Sequence, residues 1–156
     1  MVKMEGADFV LDTIQFLTRR EIPICAHLGL TPQSVLKLGG FRVQGRDEQA
    51  AQRLLKDALA VQDAGAQLLV LECVPSKLAE EITRSLHIPT IGIGAGPGCD
   101  GQILVSYDAL GINSGHRRPR FVKNFLSGND SIESAFKQYI HEVKTGIFPS
   151  SEHGYA

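Results

Sequence analysis

The sequence predicts an α/β protein built on a parallel sheet, and three observations carry that prediction. Short apolar runs alternate with longer segments of helical periodicity. The runs are apolar throughout rather than at every second residue, as strands covered on both faces are. Finally, 156 residues with 43% hydrophobic and 21% charged side chains can enclose one core.

Taken in order, Val2–Glu5 is the end of an apolar strand. Asp8–Arg20 places Phe9, Val10, Ile14, Phe16 and Leu17 near helical spacing. Ile22–Leu30 reads as a strand, and a long loop, TPQSVLKLGGFRVQGR, follows it. Asp47–Ala64 is a helix rich in Ala, Leu, Gln and Arg, stopped by Gly65. Gln67–Val74 is nearly all apolar. Pro75 then opens a helix over Ser76–Leu86, a position that suits proline at a first turn. Ile88–Gly94 and Gly101–Asp108 are the fourth and fifth strands, and Ser131–Thr145 is a last helix. No linker rich in Pro, Gly or Ser divides the chain, so a single domain over 1–156 is expected. A complete (β/α)8 barrel takes about 250 residues. Five strands therefore suit an open doubly wound sheet or part of a barrel.

Charge and composition exclude several classes. Sixteen Lys+Arg against 17 Asp+Glu give a net charge of -1, so no nucleic-acid partner is expected. No apolar stretch approaches the ~20 residues that span a membrane. No secretion signal opens the chain, and Cys25, Cys73 and Cys99 form no C-x-x-C pair. Together these indicate a reducing, cytoplasmic compartment.

In parallel α/β proteins functional groups gather at the C-terminal ends of strands. Lys3 and Glu5 are two apart on one strand and point to the same face. They either pair, bind something or fray into water. His27 falls near the end of the second strand, as a core residue or a site residue. Glu72 interrupts LLVLECV, where every neighbour is apolar. Burying a carboxylate without compensation costs several kcal/mol, so Glu72 is a candidate general base; the alternatives are a structural ion pair or an exposed strand end. The Gly-dense segment IGIGAGPGCDG lacks the P-loop pattern, and a tight turn explains it as well as phosphate binding does. His116, Arg117, Arg118 and Arg120 form a basic cluster, either a solvated loop or an anion site. His87, His141 and His153 read as surface residues, and Cys25 and Cys73 as small core residues.

Six blocks occur in one order: VKMEG, HLGLTPQS, GGFRVQGR, LLVLECVP, IPTIGIGAG and DGQILV. With the tail YIHEVKTGIFP, they resemble the ketopantoate hydroxymethyltransferase family over nearly the whole chain. The resemblance implies a (β/α)8 TIM barrel, of which this chain would be the last five strands or so. It implies transfer of a hydroxymethyl group from 5,10-methylenetetrahydrofolate to 3-methyl-2-oxobutanoate, with Mg²⁺ stabilising the enolate. Matched by motif, Lys3 would contact the keto acid, Glu5 would serve the metal through water, Glu72 would accept the proton and His27 would lie near the substrate. The family's two direct metal-binding aspartates, and a serine that holds the keto acid, have no match here. These 156 residues alone are thus expected to bind Mg²⁺ poorly, to lack appreciable activity, and to associate through apolar outer strands. The family also forms homo-oligomers, often decamers. Two alternatives stand beside this reading: another Mg²⁺-dependent barrel enzyme of the phosphoenolpyruvate mutase and isocitrate lyase group, or an inactive fragment that needs an N-terminal half.

Overall fold

A computed structural model describes residues 1–36, 39–112 and 118–156. Five parallel strands lie in one sheet: β1 (Val2–Glu5), β2 (Ile24–Gly29), β3 (Leu68–Glu72), β4 (Thr90–Ile93) and β5 (Gly101–Gln102). Their order in space is their order in sequence. A doubly wound sheet needs a switch point where that order reverses, and the described strands contain none. Between them run α1 (Leu11–Thr18), α2 (Glu48–Asp63) and α3 (Ser76–Ser85), and after them α4 (Ser106–Ala109) and α5 (Ile132–Lys144).

Local signals set the helix ends. Asp47 caps α2 by accepting the Ala50 N–H at 2.8 Å, and Gly65 ends it with a φ of 105°. Ser131 and Ser134 form a reciprocal capping box on α5. The first helix is shorter than its periodicity suggests. A 3-10 turn covers Asp8–Val10, and α1 begins only at Leu11. Only Val10 and Ile14 are buried in this segment, while Phe9 and Phe16 face solvent, with the Arg20 guanidinium 3.6 Å above the Phe16 ring.

The two faces of the sheet differ in chemistry. Ile24, Ala26 and Leu28 of β2 and Leu69 and Leu71 of β3 pack with Ile14 of α1, Leu54, Ala58 and Val61 of α2, and Leu78, Ala79 and Ile82 of α3. All three helices thus cover one face. Burying a large aliphatic side chain contributes about 2 kcal/mol, so this cluster supplies most of the folding drive. By register, Lys3, Glu5, Cys25, His27, Val70, Glu72 and Ile93 lie on the opposite face.

The fifth strand differs from the expected Gly101–Asp108. Only Gly101 and Gln102 pair with β4, and the last ladder bond runs from the Ile103 N–H to the Gly92 carbonyl at 3.0 Å. β4 ends at Ile93, and Gly94 turns away with a φ of 63°. Leu104 then packs into the clusters that dock the tail, and Ser106 opens a helical turn. Among the described residues no helix is long and apolar enough to cross a membrane.

Candidate functional site

Parallel register brings the four residues singled out in the sequence to one end of one sheet face. Glu5 lies beside His27 across β1 and β2, and Glu72 is two residues further along β3, beside Gly29. Lys3 Nζ donates to Glu5 Oε1 at 2.9 Å, and the Gln33 backbone N–H donates to Glu5 Oε2 at 3.2 Å. His27 is 2% exposed, with Nδ1 3.6 Å from Glu5 Oε1 and Nε2 3.2 Å from Glu72 Oε2. Neither contact has hydrogen-bond geometry, so the ring sits between two carboxylates without a bond to either. The Glu72 side chain is 16% exposed, a half-buried carboxylate at a strand end. It is neither lost in the core nor free in water.

Burial pushes the Glu5 carboxyl up, but the hydrogen bonds from Lys3 and Gln33 and the charges of Lys3 and His27 outweigh it. Glu5 therefore ionises below its ordinary value. Sequence reasoning passed over Gln33, which contributes a backbone N–H that no side-chain pattern announces.

The turn after β3 is built closely around the site. Gly29 has a φ of 89°, and a Cβ there would collide with the Glu72 carbonyl oxygen. That oxygen accepts the Leu30 N–H at 2.8 Å. Cys73, the residue after Glu72, has a φ of 50°. Its thiol is buried, which pushes it up to about 12, and the neighbouring Glu72 charge adds to the shift.

The Gly-dense segment is a packed turn. A Cβ at Gly96 would strike Ser76, one at Gly98 would lie 2.7 Å from Glu80 Cβ, and one at Gly94 would lie 2.7 Å from the Phe121 ring. These glycines admit neighbouring chain rather than a ligand. Of the basic cluster, His116 and Arg117 lie outside the described residues. Arg120 donates to the Glu152 carbonyl at 2.8 Å, and Arg118 lines an open cleft of about 490 Å³ with Lys123 and His153. None of Lys3, Glu5, His27 and Glu72 lines that cleft. His87 and His141 are exposed, whereas His153 is half-buried against Ser150 and Phe148.

The model of the ketopantoate hydroxymethyltransferase family matches residues 1–151 of this chain. The chain belongs to that family. The 3-methyl-2-oxobutanoate hydroxymethyltransferases of Xanthomonas euvesicatoria pv. vesicatoria (strain 85-10) and Xanthomonas axonopodis pv. citri (strain 306) are each 60% identical to it over 156 residues. That of Xanthomonas campestris pv. campestris (strain 8004) is 59% identical. The alignments cover 100% of this chain and 57% of each relative, so the chain spans little more than half their length. The match places the chain with the ketopantoate hydroxymethyltransferases and sets aside the phosphoenolpyruvate mutase group.

The family resemblance implies Mg²⁺, which prefers near-octahedral oxygen ligation at about 2.1 Å. Both Glu5 oxygens already hold N–H donors, one of them the Lys3 ammonium, and Glu72 faces His27. Among the described residues no group of three or more His, Cys, Asp or Glu side chains is placed to hold a metal. This donor set does not fit Mg²⁺.

Proposed function

We propose that the chain carries the proton-abstracting part of a hydroxymethyl transfer. The reaction takes 3-methyl-2-oxobutanoate, 5,10-methylenetetrahydrofolate and water to 2-dehydropantoate and tetrahydrofolate, a step of pantothenate synthesis. The observation that carries this reading is the half-buried Glu72 carboxylate, 3.2 Å from His27 at a strand end, in a chain of this family. Glu72 takes the C3 proton, and the electron pair of the broken C–H bond moves into the C2 carbonyl as an enolate. C3 then bonds to the folate-borne one-carbon unit as its two C–N bonds break, water supplies the hydroxyl oxygen, and the C3 proton and one water proton end on the two nitrogens of tetrahydrofolate. Lys3, whose side chain is 50% exposed, is free to turn from Glu5 to the carboxylate of the keto acid. His27 stands between the two carboxylates and keeps them apart.

The sheet is read as an arc of a (β/α)8 barrel, with 1–156 forming one unit. Sequential strand order and helices on one face support this, as does the placing of Lys3, Glu5, His27 and Glu72 at strand ends facing the other side. In this reading the protein works in the cytoplasm as a homo-oligomer.

The test is exchange of the C3 hydrogen of 3-methyl-2-oxobutanoate in deuterated water, which needs no folate. It is run on the chain co-expressed with the part of a Xanthomonas relative that the chain does not match. Glu72→Gln should slow exchange at least 10²-fold and leave keto-acid binding within a few-fold. Exchange at the wild-type rate in the variant would refute the assignment.

A further inference from the structure

We propose that Tyr155, in the C-terminal tail, is a positioning residue for Glu72 that acts through Cys73. The proposal rests on Glu72 being the base. Cys73 directly follows Glu72 and holds a left-handed backbone conformation, with a φ of 50°. A residue with a Cβ persists there only where its surroundings over-determine it, and such residues cluster at functional sites. Three groups fix Cys73. Its N–H donates to the Ile93 carbonyl at 2.9 Å, its carbonyl accepts the Gln44 N–H at 2.9 Å, and its side chain belongs to the buried cluster against which Tyr155 packs.

The tail is itself anchored. The first N–H of α3, from Ser76, has no partner within its helix and donates to the Tyr155 carbonyl at 2.9 Å. Gly154 lies so close to Ser76 that a Cβ would be 2.6 Å from its Oγ. Tyr155 packs against the buried cluster of Leu30, Cys73, Ile93, Phe121 and Val122, the first three of which stand at or just past the ends of three neighbouring strands. The tail therefore closes over the strand ends and fixes the residue from which Glu72 is aimed. Burial holds the Cys73 thiol protonated, so its part is packing, not nucleophilic attack.

The experiment compares wild type, Tyr155→Phe and Tyr155→Ala in the same co-expressed assembly. Two readouts are taken: the C3 exchange kinetics, and alkylation of Cys73 by iodoacetamide, resolved from Cys25 and Cys99 by peptide mass spectrometry. Tyr155→Ala should raise Cys73 alkylation about tenfold as its cover is lost. It should lower kcat for exchange about tenfold and leave KM within about twofold, because small misplacements of a reacting group cost rate rather than binding. Tyr155→Phe keeps the ring and should hold kcat within about threefold, since the packing against the Cys73 cluster is retained. Far-UV circular dichroism checks folding, and if Tyr155→Ala does not fold, Tyr155→Leu carries the same comparison. Unchanged alkylation on loss of the ring overturns the proposal, and so does wild-type kcat alongside raised alkylation. Absence of exchange in the wild-type assembly overturns the reading of Glu72 as base, and the positioning role with it. The alkylation contrast tells the two failures apart.

Discussion

His27 and Glu142 show two ways of burying a titratable group. His27 has a carboxylate on either side and a hydrogen bond to neither. Glu142, 6% exposed, is fully bonded: Lys123 Nζ donates to both its oxygens at 2.7 and 2.6 Å, and Gln138 to one at 2.8 Å. The first arrangement suits a site, the second a strut that ties α5 to the preceding loop. Burial pushes the Glu142 carboxyl up, but the bonds from Lys123 and Gln138 and the charges of Lys123 and His141 outweigh it and set it below its ordinary 4.5. The folded chain then binds this proton less readily than the unfolded chain. The resulting stability is fully present above 4.5 and is lost as pH falls through the lowered value. Glu142→Gln should cost about 2 kcal/mol at pH 7 in urea unfolding, and the gap to wild type should narrow as pH drops below 4.5. An equal gap at pH 7 and in acid would show that the charge is not what holds the tail. In the sequence, Lys3, Glu5, His27 and Glu72 were visible as polar residues in apolar strands, and parallel register joins them. Gln33 and Tyr155 were not visible, because a backbone N–H and a distant tail leave no periodic mark.

The strand–helix alternation was readable because each apolar run is bounded by turn residues, as at Gly65 and Pro75. The fifth strand shows the limit of that signal. Ile103, Leu104 and Val105 are as apolar as any strand, but β4 ends opposite Ile103, whose N–H makes the last ladder bond, and leaves none for Leu104 and Val105. Apolar character reports burial or docking, and pairing needs a partner of matching length. Conversely, Gly29 is an ordinary strand-end glycine in the sequence, and only its contacts show why glycine stands there. Gly29→Ala would push a Cβ into the Glu72 carbonyl and to 2.7 Å from Val74 Cγ2, at a φ of 89°. It should cost roughly 3 kcal/mol. Gly128, with a φ of 87° and nothing within 4 Å of its would-be Cβ, is the control. Gly128→Ala should cost only about 1 kcal/mol, from backbone strain. Equal losses in chemical denaturation would mean that the Gly29–Glu72 contact matters little.

At the scale of the whole molecule, β1 and β5 are the outer strands, each paired on one side only among the described residues. Exposed apolar side chains lie near both: Val2, Phe9 and Phe16 at one end, Ile103, Val105 and Tyr107 at the other. Open edges beside apolar surface favour association with other chains. The isolated chain should sediment as larger species at about 10 µM and above. Phe9→Ser with Phe16→Ser should shift it toward monomer. A wild-type chain that stays monomeric throughout would remove the argument. The split between the faces of the sheet has a further effect, on how this protein changes over generations. The helices hold the fold through Ile24, Ala26, Leu28, Leu69 and Leu71, while Lys3, Glu5, His27 and Glu72 stand on the other side. Drift at those four positions touches none of the residues that hold the helices. A lineage can therefore lose the proposed reaction and keep the fold.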